Sequence, residues 1–365
     1  MIDYKLISAD DHMDLWSLPA NLFVDRVPAK LRDRAPQVVE MPQGKMWKAG
    51  DSLLGPSGRA RGSTIRMALD KAGLENADTR PSTPALRLQD MDRDHIEAEV
   101  IYGAVRGFSI GDLEVKEACV SAYNDWAAEF NAHAPQRLCV LSYLPVHSHE
   151  ASVKELRRVA AAGHKGAVFE AFQASAPIWD ARWAPLWQAV EETGLPLSVH
   201  LGSGTSMLKN TQGSWEFPAF VTVAPMQMDE ALAALIFNGS LERHPNFKLV
   251  LGESGLGWLP YVIERLDREQ DNHGASAKDY RIQMRASEIF RRQVYATFEE
   301  DTFGVKHCIP AIGEDNVMWA SDYPHPDSTF PHSLESVERD FTGVDPRLTR
   351  KVVRETAARL YGFKA

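Results

Sequence analysis

Eight short apolar runs recur along this chain, near residues 6, 99, 140, 168, 198, 249, 296 and 318, and that recurrence constrains the fold more than any other feature. Each run is followed by a helical pattern or by a segment long enough to hold one. Runs without internal alternation, such as the one through Leu249, Val250 and Leu251, read as strands buried on both faces. Eight strand-and-helix units in a row predict an α/β protein of the (β/α)8 TIM-barrel type. A doubly wound open sheet is the alternative. It is disfavoured because no Gly-x-Gly-x-x-Gly follows the first strand.

The reading covers residues 1–365 as a single domain, with one interruption. From about 15 to 83 the chain is rich in Pro, Gly, Arg and Lys, and its periodicity is weak. A long excursion after the first strand reads as a lid, a rim or an oligomer contact, or else as a solvated loop. Trp47, Arg59, Arg61 and Arg66 are its candidates for facing a substrate. Beyond it, amphipathic patterns predict helices at 115–133, 151–162 and 183–193, the last capped by Asp180 and stopped by Gly194. Residues 222–241 read as one helix and 348–360 as a closing helix.

The ends of the strands carry the chemistry. The first run ends at Asp10-x-His12, the fifth at His200, the sixth at Glu253 and the eighth at Asp322. In a barrel the carboxyl ends of the strands converge on one funnel. Two imidazoles and two or three carboxylates there make a site for a divalent cation. Alternation along a strand lets Asp10 and His12 point the same way. Either Glu253 or Asp322 could serve as the base that takes a proton from water. His325, three residues past Asp322, could bind a substrate carboxylate or orient Asp322. Each residue also has a plain structural reading: Asp10 as a helix cap, Asp322 before Tyr-Pro as a turn former, His200 as a core histidine. Their joint position at strand ends is the argument for a site. A Ser254 nucleophile is weak, because Gly252-Glu253-Ser254-Gly255-Leu256 lacks the last glycine of the elbow motif.

Composition excludes some partners. The net charge is -10 and the pI about 5.7, which disfavours nucleic acid as a partner because phosphate binding needs a basic face. No run of 18 apolar residues points to a membrane span. Three cysteines without a Cys-x-x-Cys pair, and an N-terminus with early acids, fit a cytoplasmic protein with reduced thiols.

Four stretches together resemble the amidohydrolase-related family, the branch of the amidohydrolase superfamily that includes aminocarboxymuconate-semialdehyde decarboxylase. They are Ser8–His12, Leu195–His200, His244–Leu251 and Trp319–His325. The resemblance implies a (β/α)8 barrel holding one divalent metal ion, Zn or Mn. It implies Asp10, His12, His200 and Asp322 as the ligands, and a homodimer or higher homo-oligomer. Two departures stand out. Asp10 occupies a position where many members have His, which hardens the site toward Mn. Glu253 stands where the similar decarboxylases carry a His that acts in proton transfer. A carboxylate there is a more natural base for water, which tilts the reading toward hydrolysis. The expected activity is therefore a metal-dependent hydrolase of a small cyclic or aromatic-derived carbonyl compound, with Glu253, Asp322 and His325 at the reaction. The alternatives are a decarboxylase on the same site and a non-catalytic binding barrel.

Overall fold

The computed structural model describes residues 2–58, 67–103, 109–202, 208, 211, 213–279 and 282–364. It is a (β/α)8 barrel. The first strand, β1 (Leu6–His12), is followed by three short strands of the excursion, β2 (Gln37–Met41), β3 (Gly44–Ala49) and β4 (Ser52–Pro56). The barrel then continues through β5 (Ile96–Tyr102), the nearly continuous β6 (Leu138–Val140) and β7 (Ser142–Tyr143), and β8 (Ala167–Val168). It is completed by β9 (Leu197–His200), β10 (Leu249–Gly252), β11 (Val294–Phe298) and β12 (Val317–Trp319). Neighbouring barrel strands are parallel, in the order β1-β5-β6 and β7-β8-β9-β10-β11-β12. The circle closes beyond β12, where Asp322 N–H donates to the Asp10 carbonyl at 3.1 Å and His12 N–H to the Tyr323 carbonyl at 2.6 Å.

These strands form because nearly every residue in them can be buried. All five residues of β11 and all four of β10 are buried, as a parallel barrel enclosed by helices requires. The helices follow the amphipathic pattern closely. The helix Leu113–Ala132 buries Val115, Val120, Trp126, Ala127 and Phe130 on one side. Asp180 accepts from the Arg182 N–H, and Gly194 ends the helix Ala184–Thr193 in the left-handed conformation at φ +68°.

Two long helices read from the sequence are divided. The stretch expected as one helix over 222–241 becomes Glu216–Val223, a tight turn at Ala224–Met228, Asp229–Phe237 and Ser240–Arg243. Pro225 removes a backbone donor at the first break, and Gly239 sits at φ +76° at the second. The run Glu216–Phe237 is apolar enough by composition to cross a membrane. Here Met228, Leu232, Leu235 and Ile236 are buried in the barrel core. The closing helix carries a widened turn at Lys351–Glu355 between Pro346–Arg350 and Thr356–Tyr361.

The excursion is built, in its described part, as short helices and an antiparallel sheet ordered β2-β3-β4. Trp47 does not face a substrate. It is fully buried, edge-on to Phe23 at 5.6 Å, because its large apolar surface packs the sheet against the excursion's short helix Leu22–Arg26. Arg59, Arg61 and Arg66 lie outside the described residues. Cys119, Cys139 and Cys308 are buried free thiols.

Candidate metal centre at the barrel mouth

β1 brings the first two groups. Its register against β5 shifts between Ser8 and Asp11. Asp10 and His12 enter the mouth, while Asp11 accepts from the Ser8 and Ser321 hydroxyls at 2.9 and 2.7 Å and from the Tyr323 N–H at 3.1 Å. One oxygen of Asp10 is fixed from behind: Oδ2 accepts from Thr297 Oγ1 at 2.6 Å and from the Glu253 N–H at 2.8 Å. The other, Oδ1, stays free.

His200 ends β9 with its Nδ1 3.1 Å from the Leu201 carbonyl. A carbonyl only accepts, so Nδ1 carries the proton and Nε2 presents a lone pair. Gly252, opposite it on β10, must be glycine: a Cβ would lie 2.7 Å from His200 Cδ2 and 3.2 Å from Asp10 Oδ2. Glu253 and Asp322, at the ends of the sixth and eighth barrel strands, both hold left-handed backbone at φ +50° and +59°. For residues with a Cβ this conformation is strained and marks positions where surrounding contacts dictate the geometry.

These elements gather all four expected ligands. His12 Nε2 lies 3.6 Å from Asp10 Oδ1 and 2.9 Å from Asp322 Oδ1, and His200 Nε2 lies 3.5 Å from Asp10 Oδ1. Glu253 Oε1 joins them, 2.9 Å from His12 Nε2 and 3.7 Å from His200 Nε2. Yet Asp10 Oδ1, His12 Nε2, His200 Nε2 and Asp322 Oδ1 are all buried and without a hydrogen-bond partner. Unsatisfied buried polar atoms are costly, and these belong to two groups that share His12. One is Asp10 with His12 and His200, the other His12 with Glu253, Asp322 and His325. In each the donor atoms lie within 4.8 Å of one another and are fit to hold a divalent cation.

The electrostatics agree. Burial pushes the His12 pKa down, and so does the His325 charge, but Asp322 and Glu253 outweigh both and raise it to about 10. For Glu253, burial acts upward, and the charges and contacts of His200, His12 and His325 bring its carboxyl well below the usual range. Carboxylates that hold protons on the imidazoles this strongly would equally attract a metal, whose binding releases those protons.

His325 is part of the cluster in a particular way. Its Nδ1 lies 3.1 Å from Asp322 Oδ2 and its Nε2 3.1 Å from Asp14 Oδ2, while the ring stacks on His12 at 4.0 Å. Both nitrogens face acids, so of its two expected uses the geometry favours orienting Asp322. Sequence reading missed Asp14, which Trp16 Nε1 holds at 3.3 Å. It also missed Thr297, although a threonine in the middle of a fully buried strand was a usable signal. Glu299 was missed too. It directly follows β11, its Oε1 is buried without a partner, and burial together with the charges of Asp322, Glu253 and Asp10 raises its pKa well above normal.

Comparison with known proteins fits this picture. The amidohydrolase family model matches residues 10–363, and the chain belongs to that family and is an enzyme of it. A 2-amino-3-carboxymuconate-6-semialdehyde decarboxylase from Dictyostelium discoideum is 24% identical over 268 residues, covering 72% of each chain. A gamma-resorcylate decarboxylase from Rhodococcus jostii is 24% identical over 301 residues, covering 76% of this chain and 86% of its own. The structure of 5-carboxyvanillate decarboxylase from Sphingomonas paucimobilis superposes with a TM-score of 0.71 at 20% identity, covering 99% of this chain and 100% of its own. A dihydroxybenzoic acid decarboxylase from Polaromonas, with bound manganese and 2-nitroresorcinol, gives 0.65 at 18% identity, covering 98% and 97%.

Proposed function

We propose that this enzyme is a metal-dependent decarboxylase of an aromatic or unsaturated carboxylic acid. The observation that carries it is the presence at the barrel mouth of two overlapping groups of partnerless donor atoms, Asp10 and His200 on one side of His12 and Asp322 on the other. These residues would hold one divalent ion, Mn or Zn, which when bound would supply a positive charge to anchor and polarise the substrate's oxygens. The reaction class is supported by the relatives, which are decarboxylases, and it replaces the hydrolysis that a carboxylate at position 253 favours from sequence.

The chain's own groups have definable tasks. Decarboxylation breaks the bond between the ring or vinyl carbon and its carboxylate, leaving the electron pair on that carbon. Carbon dioxide departs and the carbon takes a proton in its place. His325 is partly exposed at the mouth, 23% at its side chain, and is the group placed to pass a proton inward. Asp14 holds His325 by its Nε2, which keeps the ring against Asp322. The described part of the excursion over residues 15–83 would form the rim of the pocket, and the acting form would be a homodimer or higher homo-oligomer.

The test is direct. Manganese-loaded protein is offered a panel of hydroxybenzoates and unsaturated dicarboxylates, and carbon dioxide release is followed alongside incorporation of ¹⁸O from labelled water. Carbon dioxide without ¹⁸O in the organic product is the expected result. Label uptake with no carbon dioxide would return the enzyme to the hydrolases.

A further inference from the structure

Glu253 does not sit where a free base would sit. Its Oε1 lies 2.9 Å from His12 Nε2, 3.7 Å from His200 Nε2 and 3.6 Å from His325 Nδ1. The 2.9 Å separation from His12 is that of an ion pair, and Nε2 makes no hydrogen bond of regular geometry. Two donors at right angles around one ion with bonds of ~2.1 Å are about 3.0 Å apart. The separation of Glu253 Oε1 from His12 Nε2 therefore equals that of two ligands sharing an ion, as does the 2.9 Å from Asp322 Oδ1 to the same nitrogen.

The backbone is organised to hold the carboxylate there. Glu253 occupies left-handed backbone at φ +50°, and its N–H is tied to both Asp10 Oδ2 and Thr297 Oγ1. Gly252 clears the space through which His200 and Asp10 approach. One of the two donors that steady Asp10 is thus the main chain of Glu253 itself, the other being Thr297 Oγ1.

We propose that Glu253 is a fifth protein ligand of the metal, bound through Oε1 beside Asp10, His12, His200 and Asp322. This rests on the metal site proposed above and changes the role of the sixth-strand acid from water base to ligand. Three carboxylates and two imidazoles make a hard, crowded set that suits six-coordinate Mn(II) and disfavours tetrahedral Zn(II). An octahedral ion with five protein ligands has one position left. That position admits one oxygen of a substrate and leaves no place for a second water.

The experiment counts waters on bound Mn(II) by ¹⁷O and proton relaxation of solvent, with affinity from the loss of the free Mn(II) electron-resonance signal. Wild-type protein should show one exchangeable water. Glu253→Gln should show two and bind Mn(II) at least about 100-fold more weakly, beyond the 10- to 100-fold expected for a group that only supports a ligand. Its preference should move toward Zn(II). Glu253→His provides a second variant, with a neutral donor in the same place, and should shift the preference the same way. Two waters on wild-type Mn(II), or a Glu253→Gln variant with unchanged water count and affinity, would overturn the assignment. Absence of any divalent ion binding by wild-type protein would instead sink the metal site itself, so the two failures are separable.

Discussion

Two clusters of buried charge lie side by side in this molecule and are satisfied in different ways. At the mouth, Asp10, Glu253 and Asp322 face His12 and His200, and among the described residues no lysine or arginine pairs with them. A few ångströms behind, the chain supplies its own cations. Arg87 is fully buried, with Nε 2.6 Å from Glu99 Oε2 and a terminal nitrogen 2.9 Å from the His12 carbonyl. Arg80 grips Asp90 with bonds of 2.6 and 2.8 Å, and Asp90 in turn accepts from the Tyr323 hydroxyl at 2.7 Å. The inner cluster is closed by covalently attached guanidinium groups, while the outer one is matched to an ion that comes and goes. The first should report on folding and the second on loading.

That contrast is broken most easily at His200. His200→Ala should abolish turnover and metal binding while the barrel still folds, because it leaves the inner cluster untouched. In wild-type protein, free metal at 1,000 times its Kd should add about 4 kcal/mol of stability, lost on chelation. The variant should show none of this dependence in urea melts with and without chelator. A metal-dependent shift of wild-type size in His200→Ala would remove that residue from the site.

Arg87→Met should do the reverse. It leaves Glu99 buried without its cation, a change that costs about 3–5 kcal/mol when one partner of a buried pair is removed. The loss should be the same in the presence and absence of metal. If added metal rescued most of it, the two clusters would be one unit, and the distinction drawn here would fail.

Much of the outer cluster was legible because a buried strand that ends in an acid or a histidine has no structural reason to do so repeatedly. Asp10, His12, His200, Glu253 and Asp322 all announce themselves this way. Glu299 carries the same signal just past the seventh strand, while Thr297 is neither an acid nor a histidine and lies inside that strand. Asp14 could not be found, since its partner His325 is 311 residues away and meets it only when the barrel closes. Nothing in the sequence around Arg87 marks it as buried. Its burial follows from the helix Pro84–Arg93 packing against β5, a tertiary fact that periodicity does not contain. Trp47 misled for the opposite reason. A tryptophan in a Pro/Gly-rich excursion looks available, yet it is the excursion's own core.

Two glycine substitutions sharpen the comparison at smaller scale. Gly252→Ala forces a Cβ to within 2.7 Å of His200 Cδ2, and Gly166→Ala forces one to within 2.8 Å of Leu141 Cδ2. Each overpacking should cost about 1–3 kcal/mol. Only Gly252→Ala should also weaken metal binding, since its clash falls on a ligand. Isothermal titration of both variants with Mn(II) checks this, and equal affinities would show that the mouth tolerates the shift.

Asp94 shows what happens to a buried acid with neither a metal nor a guanidinium. It accepts from the Ser333 N–H at 2.9 Å and the Ser333 hydroxyl at 2.5 Å. Burial is the dominant influence and raises its pKa from 3.8 to about 7, with the Ser333 bonds opposing and the charges of Glu99 and Glu335 adding to it. The folded protein therefore keeps a proton that the unfolded chain has lost between these two values. Stability contributed by this site should be fully present at pH near 3.8, fall as pH rises through about 7, and level off above it. The slope cannot exceed ~1.4 kcal/mol per pH unit for one proton. Urea melts from pH 5 to 8 on wild type and Asp94→Asn, both in chelator so that the mouth contributes equally, isolate the effect: the difference between the two should favour wild type increasingly as pH falls. A difference that does not change with pH would mean that Ser333 alone satisfies the ionised carboxylate.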